Sequence, residues 1–133
     1  MKSDEQIMGE IESAARGLFR MSESDYPVEP FRLGDAGPPT APLLRRVAGA
    51  SHDAVVRAGP AEEFFLSGAF VEAAEGNFSR APAARIDELA RALLGNLSDV
   101  TVYSVGEINI PVYVLGRSES GSWLGVSTRV VHT

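Results

Sequence analysis

Apolar and polar residues alternate with a period of two along the last third of the chain, residues 100–133. The two predicted faces of the final segment carry Trp123, Gly125, Ser127, Arg129 and Val131 on one side, and Leu124, Val126, Thr128, Val130 and His132 on the other. This alternation predicts a strand that continues to the last residue. Chain ends usually fray, but we expect this strand to hold Thr133 in a fixed place.

Two other stretches carry apolar residues at helical spacing. The first follows Ser3, which forms a capping-box pattern with Gln6, and should end near Gly17. Its apolar positions are Ile7, Ile11, Ala14, Ala15 and Leu18. The second has Pro82 in its first turn and stops at Gly95. Its apolar positions are Ile86, Leu89, Ala90, Leu93, Leu94 and Leu97.

The middle of the chain has shorter patterns. Residues 18–27 carry serines and acids that favour a turn or short loop. Pro30 lies inside a predicted strand at residues 28–33 and indicates an edge position. The remaining predictions are a Pro/Gly loop at 34–42, a short helix at 43–50, a strand at 54–57 and a helical turn from Pro60 to Phe65. Residues 68–80 remain open between helix and loop.

A hairpin is predicted where the period changes to two. Gly106 and Glu107 stand between Val105 and Ile108, with glycine first, as a two-residue type II′ turn prefers. The strands on either side should therefore be antiparallel, with Val105 opposite Ile108. One face of the second strand then carries Ile108, Ile110, Val112 and Val114.

Apolar side chains are predicted on both faces of this sheet. Tyr113 and Leu115 lie on the face opposite Val112 and Val114, so each face needs cover from helices. The simplest fold is α+β, a three-layer α/β/α sandwich with a mainly antiparallel sheet. The length of 133 residues predicts a single domain over residues 1–133.

The net charge of the chain argues against some classes of function, nucleic-acid binding above all. The net charge is −6, and residues 1–31 supply −4 of it through seven acidic and three basic residues. A basic patch for nucleic acid is not expected. The acidic end is either a solubilising face or a surface that meets a basic partner. Apolar stretches fall short of the roughly 20 residues of a membrane span, and the acidic start does not resemble a signal peptide, which predicts a cytoplasmic protein.

Catalytic patterns are scarce. His52 and Asp53 would need a third partner to act as an oriented general base. The segment around Ser118 has Ser120 where a nucleophile elbow has its second glycine, so a solvated loop is favoured. Zero cysteines and two histidines argue against a closed zinc site. We predict a non-enzyme without a cofactor, and keep a small hydrolase using His52 as a minor alternative.

Two oxygen-rich segments remain. The first is the acidic, serine-rich stretch at residues 21–27, and the second is Thr133, with a hydroxyl and an expected terminal carboxylate. Such hard oxygen ligands suit Mg²⁺. Glu23 and Asp25 could instead cap a neighbouring helix.

These two segments carry a resemblance to the nuclease A inhibitor family. The matching text is LFRMSESDYPVEPF at residues 18–31, followed by VY, GE, VYVLG and GVSTRVVHT within residues 102–133. The resemblance implies an α/β/α sandwich. It also implies a non-enzymatic inhibitor that covers the active site of a Mg²⁺-dependent, sugar-nonspecific nuclease.

The resemblance also implies a contact surface. Glu23 would meet basic residues of the nuclease active site, and Thr133 would reach a metal ion that the nuclease holds. The expected partner is a metal-dependent nonspecific nuclease, with no direct nucleic acid or membrane contact, and the free chain should be monomeric. The partner-binding residues predicted in this way are Ser22, Glu23, Ser24, Asp25, Glu72, Glu75, His132 and Thr133.

The chain departs from the family pattern between its Phe-Phe pair and its last helix. The family has a strongly acidic, tryptophan-bearing segment there, whereas this chain has Glu72 and Glu75 as its only acids. Equal spacing from Phe65 puts Ala74 at the tryptophan position. A substitute aromatic contact could come from Phe70 or Phe78.

A second departure is His132, which stands where the resemblance leads us to expect glutamate. This change removes a negative charge beside Thr133. Together the departures keep an alternative open, a protein-binding module on the same scaffold with a different, non-nuclease partner.

Overall fold

The computed structural model describes residues 2–34, 37–66 and 69–133. Within these residues the chain forms four helices and nine strands. The helices are α1 (Asp4–Ala15), α2 (Ala41–Ala48), α3 (Ala61–Leu66) and α4 (Ala83–Leu94). The strands are β1 (Leu18–Met21), β2 (Tyr26–Pro27), β3 (Glu29–Gly34), β4 (Val56–Pro60), β5 (Ala69–Ala74), β6 (Asn77–Arg80), β7 (Ser98–Val105), β8 (Asn109–Arg117) and β9 (Trp123–Val131). None of the helices in the described ranges is long and apolar enough to cross a bilayer.

The strands form two antiparallel sheets. The four-stranded sheet has the order β2-β1-β5-β6, and the five-stranded sheet has the order β3-β9-β8-β7-β4. The α+β class and the antiparallel pairing are therefore confirmed. The sequence pattern did not anticipate that the strands divide between two sheets, and the three-layer order stays a prediction.

The strand β8 carries apolar side chains on both faces, as predicted. Val112 and Val114 belong to the larger core, which also contains buried residues of α1 and α4. Tyr113 and Leu115 belong to a smaller core that contains Leu44 of α2. Because successive side chains of a strand point to opposite faces, the two faces of β8 contribute to different cores.

The two amphipathic helices begin as the sequence predicts. The Ser3 hydroxyl accepts a hydrogen bond from the Gln6 backbone N–H at 3.2 Å, and Gln6 Oε1 accepts the Ser3 N–H at 2.8 Å, so the capping box is complete. Pro82 precedes the first residue of α4. The helix α2 and the strand β4 lie within a few residues of their predicted positions, and α3 follows Pro60.

Two short segments became strands through distant pairing. Residues 18–27, predicted as a turn or loop, form β1, a bend at residues 22–24, and β2. The open segment 68–80 forms β5 and β6, apart from Gly68, which lies outside the described residues. Glu75 and Gly76 join these strands with φ of 53° and 79°, the left-handed pair of a type I′ turn. Strands this short show no clear periodicity, and β1 pairs with β5 about fifty residues away.

The predicted type II′ turn after β7 is wrong. Val105 was predicted to lie opposite Ile108, whereas the last described pair of β7 with β8 is Ser104 with Val112. The connection spans residues 106–108 and leaves Ile108 outside the sheet. The Gly106 N–H donates to the Val55 carbonyl next to β4, which draws this residue out of a tight two-residue turn.

The strand β9 is confirmed between Trp123 and Val131, but it ends two residues before Thr133, so the prediction that it continues to the last residue is wrong. Leu124, Val126, Thr128 and Val130 are buried, in agreement with the predicted alternation. The strand β3 pairs only with β9 among the described strands, so Pro30 occupies an edge, as predicted.

Two glycine substitutions should change stability in opposite directions. A Cβ at Gly125 would lie 1.8 Å from the Val114 carbonyl oxygen, a backbone atom in the middle of the sheet. We expect Gly125→Ala to lower the free energy of unfolding by at least about 2 kcal/mol. A Cβ at Gly9 in α1 would meet nothing within 4 Å, and Gly9→Ala should raise that free energy by about 0.5–1 kcal/mol.

Denaturant unfolding of both variants measures these changes. Equal stability of Gly125→Ala and the unsubstituted protein would contradict the close approach of β8 and β9.

Candidate functional site

The end of the chain meets the bend between β1 and β2. The backbone N–H of Thr133 donates to Glu23 Oε2 at 2.5 Å, and the Thr133 hydroxyl donates to Glu23 Oε1 at 2.6 Å. A single carboxylate therefore holds both the backbone and the side chain of Thr133. Both residues are exposed. We call Ser22, Glu23, His132 and Thr133 the Glu23–Thr133 corner.

Further hydrogen bonds hold the two segments of the corner together. The Ser22 hydroxyl accepts the Val131 N–H at 3.1 Å and donates to the Ser24 carbonyl at 2.8 Å. The His132 N–H donates to the Ile108 carbonyl at 2.8 Å. The tail is thus held by the bend on one side and by the β7–β8 connection on the other. This arrangement confirms the prediction that Thr133 has a fixed place.

Thr133 also changes the acidity of Glu23. Hydrogen bonds from the Thr133 hydroxyl, and then from its backbone N–H, lower the pKa of the Glu23 carboxyl below its ordinary value. Desolvation opposes this change, and the charge of His132 adds to it. Glu23 is therefore ionised at neutral pH and presents its negative charge at the surface.

The hydroxyl of Thr133 is oriented for a second interaction. A hydroxyl has one donor hydrogen and two acceptor lone pairs. Because the hydrogen points to Glu23, the lone pairs face away from that carboxylate. Hard oxygen ligands of this kind suit Mg²⁺. The described residues contain no group of three or more His, Cys, Asp or Glu side chains that could hold a metal ion.

The other predicted contact residues divide between two places. Ser24 and Asp25 are exposed beside the corner. Glu72 forms an ion pair with Arg85 at 2.8 Å. Because Met21 pairs with Ala69 and Leu18 pairs with Glu72, Glu72 lies about 10 Å along the sheet from the corner end of β1.

Glu75 lies farther in the same direction, in the turn between β5 and β6. The structure therefore brings six of the eight predicted residues together and sets Glu72 and Glu75 apart. Partner binding by all eight residues stays a prediction.

The two candidate aromatic substitutes differ in exposure. Phe70 is buried in the larger core and contacts the Phe64 ring. Phe78 is exposed and packs its ring edge against Phe19 with 5.1 Å between ring centroids. Only Phe78 of this pair is therefore placed at the surface. The backbone of Ala74 pairs with Asn77, and its side chain lies outside the described residues.

The candidate catalytic residues considered from the sequence lie in two separate connections of the fold. Asp53 accepts a hydrogen bond from the Ser51 hydroxyl at 2.7 Å in an exposed turn next to His52. Ser118 is buried and lies 3.0 Å from the Ser120 hydroxyl, which donates to Asp4 at 2.9 Å. The β8–β9 connection, predicted as a solvated loop, is thus tied to the first turn of α1.

A family model described as nuclease A inhibitor-like protein matches residues 5–133. The match covers nearly the whole chain. The chain belongs to the nuclease A inhibitor-like protein family. This membership points to a nuclease inhibitor role and a non-enzymatic protein. A comparison with curated proteins found no similar sequence.

The sequence pattern did not predict that Ile108 lies beside the Glu23–Thr133 corner of this nuclease A inhibitor-like protein. Ile108 was assigned to a buried face, whereas its carbonyl supports His132 and its side chain is exposed. The signal that could have found it is the glycine at position 106, since glycine adopts a positive φ in a looser connection as well as in a tight turn; here its φ is 95°.

The pKa of Glu23 should depend on the Thr133 hydroxyl. In Thr133→Val the largest cause of the lowered pKa is removed, so we expect the pKa of Glu23 to rise toward its ordinary value. Because the pKa is lowered in the folded protein, the stabilisation from this contact is present above the ordinary pKa and is lost as pH falls through the folded value.

Carboxyl-carbon NMR titration of the unsubstituted protein and of Thr133→Val measures this change in the pKa of Glu23. Glu10, whose pKa is lowered chiefly by Lys2 and Asn96, is the internal control and should not change. An unchanged pKa of Glu23 in Thr133→Val would show that the hydroxyl bond is not formed in solution.

Proposed function

We propose that this protein inhibits a metal-dependent, sugar-nonspecific nuclease by covering its active site with the Glu23–Thr133 corner. The observation that carries the proposal is the pair of hydrogen bonds from Thr133 to the Glu23 carboxylate. The two residues that the family resemblance singled out belong to segments 110 positions apart in sequence, yet they form one exposed unit. Family membership supports a nuclease as the partner.

Glu23 can contact the partner while it holds Thr133. An ionised carboxylate has about four lone-pair sites, and Thr133 uses two donors on it. The remaining sites can accept hydrogen bonds from a basic side chain in the nuclease cleft. Charge-assisted bonds of this type are roughly twice as strong as neutral ones.

Thr133 can contact the metal with its hydroxyl oxygen. Mg²⁺ often keeps exchangeable waters that a visiting oxygen can replace. Because Glu23 already orients the hydroxyl, less side-chain freedom is lost when the two proteins bind. A bound corner would occupy the position at which a substrate phosphate meets the metal, and the nuclease would be inactive.

The charge distribution favours the same partner. Residues 1–31 contain the bend with Glu23 and supply most of the net negative charge. A nuclease that binds phosphates presents a basic cleft, so opposite charges would speed encounter and orient the two proteins. Inhibition should therefore become slower to establish as ionic strength rises.

Substitution at the corner should weaken inhibition. We expect Glu23→Ala, and separately deletion of Thr133, to raise the inhibition constant by about 30-fold or more, since a central buried contact contributes about 2 kcal/mol. Plasmid degradation by a Mg²⁺-dependent nonspecific nuclease, titrated with purified protein, measures the constant.

The matched control is Glu119→Ala. Glu119 is an exposed carboxylate in the β8–β9 connection, at the other end of β9, about 26 Å away along the strand. Its substitution removes the same charge and should leave inhibition nearly unchanged. No inhibition by the unsubstituted protein at micromolar excess would reject this nuclease as the partner and favour a different protein partner. Equal potency of all variants would reject the corner as the contact surface.

A further inference from the structure

We infer that Met21 and Ile108 are apolar contact residues on two sides of the Glu23–Thr133 corner, and that they pack against the walls of a positively charged cleft in the partner. This inference rests on the proposed function and adds a second kind of contact to it. Neither residue belongs to the set that the sequence indicated. The corner would then be a charged centre with apolar flanks.

Ile108 is an isoleucine at the surface, with 62% of its area exposed. The β7–β8 connection places it outside the sheet, and its carbonyl accepts the His132 N–H at 2.8 Å. Its backbone therefore has a fixed relation to the residue before Thr133. A β-branched side chain also has few rotamers to lose, so contact at this position requires little ordering.

Met21 is the last residue of β1 and is 44% exposed. It stands two positions before Glu23, and the intervening Ser22 is bonded to Val131. Met21 is therefore joined to the corner from the side of the four-stranded sheet, whereas Ile108 is joined to it from the five-stranded sheet. Methionine fits irregular apolar surfaces because its unbranched side chain has three rotatable bonds.

The charges near these residues indicate the chemistry of the occupant. Exposed carboxylates stand beside both flanks, with Glu107 next to Ile108 and Asp25 two residues after Glu23. Two guanidinium groups also lie nearby and keep their positive charge, with Arg129 donating to Asn109 and Arg20 donating to the Met21 carbonyl. Both arginines are only partly exposed, whereas the carboxylates of Glu23, Asp25 and Glu107 are exposed. The complement of these carboxylates and the two apolar side chains is a cationic cleft with apolar walls.

Apolar flanks would strengthen the central contact. Groups that exclude water around a charged pair lower the effective dielectric constant, and the attraction between the charges increases. In protein interfaces, energetically central residues are commonly enclosed by neighbours that keep water out. In the bound complex, Met21 and Ile108 would enclose Glu23 and Thr133 from the two sheets.

The test compares exposed apolar residues beside the Glu23–Thr133 corner with an exposed apolar residue far from it. Ile108→Ala and Met21→Ala should each raise the inhibition constant against a Mg²⁺-dependent nonspecific nuclease by about fivefold to tenfold. The control is Leu94→Ala, since Leu94 is 43% exposed, nearly the same as Met21. Leu94 ends α4 near the start of β7, about 23 Å along that strand from Ile108, and its substitution should leave inhibition unchanged.

Ionic strength separates apolar from charged contacts. The loss caused by Ile108→Ala should be similar at low and high salt, whereas the loss caused by Glu23→Ala should shrink as salt rises. Thermal unfolding of each variant verifies that the fold is intact, and we expect midpoints close to that of the unsubstituted protein because the side chains are exposed.

Three possible outcomes of the inhibition measurements lead to different conclusions. Weakening by Glu23→Ala, with Ile108→Ala and Met21→Ala as potent as Leu94→Ala, would overturn the apolar flanks and leave the proposed function in place. Equal weakening by Leu94→Ala would also overturn them, because the effect would then not belong to the corner. Absence of inhibition by the unsubstituted protein would overturn the proposed function and, with it, this inference.

Discussion

The antiparallel pairing of β9 with its neighbours is the interaction on which the rest of the structure depends. This strand lies between β3 and β8 in the five-stranded sheet, and its Leu124 and Val126 are buried in the larger core. Gly125 allows β8 to approach so closely that no side chain fits. The end of the same strand is bonded to the bend that follows β1. One strand thus links the core, both sheets and the surface corner.

The position of the corner explains how an exposed site can be ordered. Its base is the end of a central strand, which loses a row of ladder hydrogen bonds if it moves. Its tip is two residues long and is held by Glu23 and by the Ile108 carbonyl. Groups that are ordered before binding lose less conformational entropy on association. A small acidic protein can therefore present one ordered, charged unit at an exposed corner.

Local patterns in the sequence were sufficient wherever an element carries its own periodicity or cap. The helix α1 follows from its capping box and apolar spacing, and β9 follows from its strict alternation. The strand β1 was missed because its four residues show no period, and its partner β5 is about fifty residues away. The connection at residues 106–108 was misassigned because a contact between Gly106 and Val55, which no local pattern reveals, changes the turn.

The sequence by itself determined the α+β class, the main helices, the last strand and, through its resemblance to a family, the importance of Glu23 and Thr133. The tertiary structure decided which residues accompany them. It joined Glu23 to Thr133, engaged Glu72 with Arg85, buried Phe70 and exposed Ile108. The physical reason is that secondary structure depends on neighbours within one or two turns, whereas a surface site depends on the register between strands that are distant in the chain.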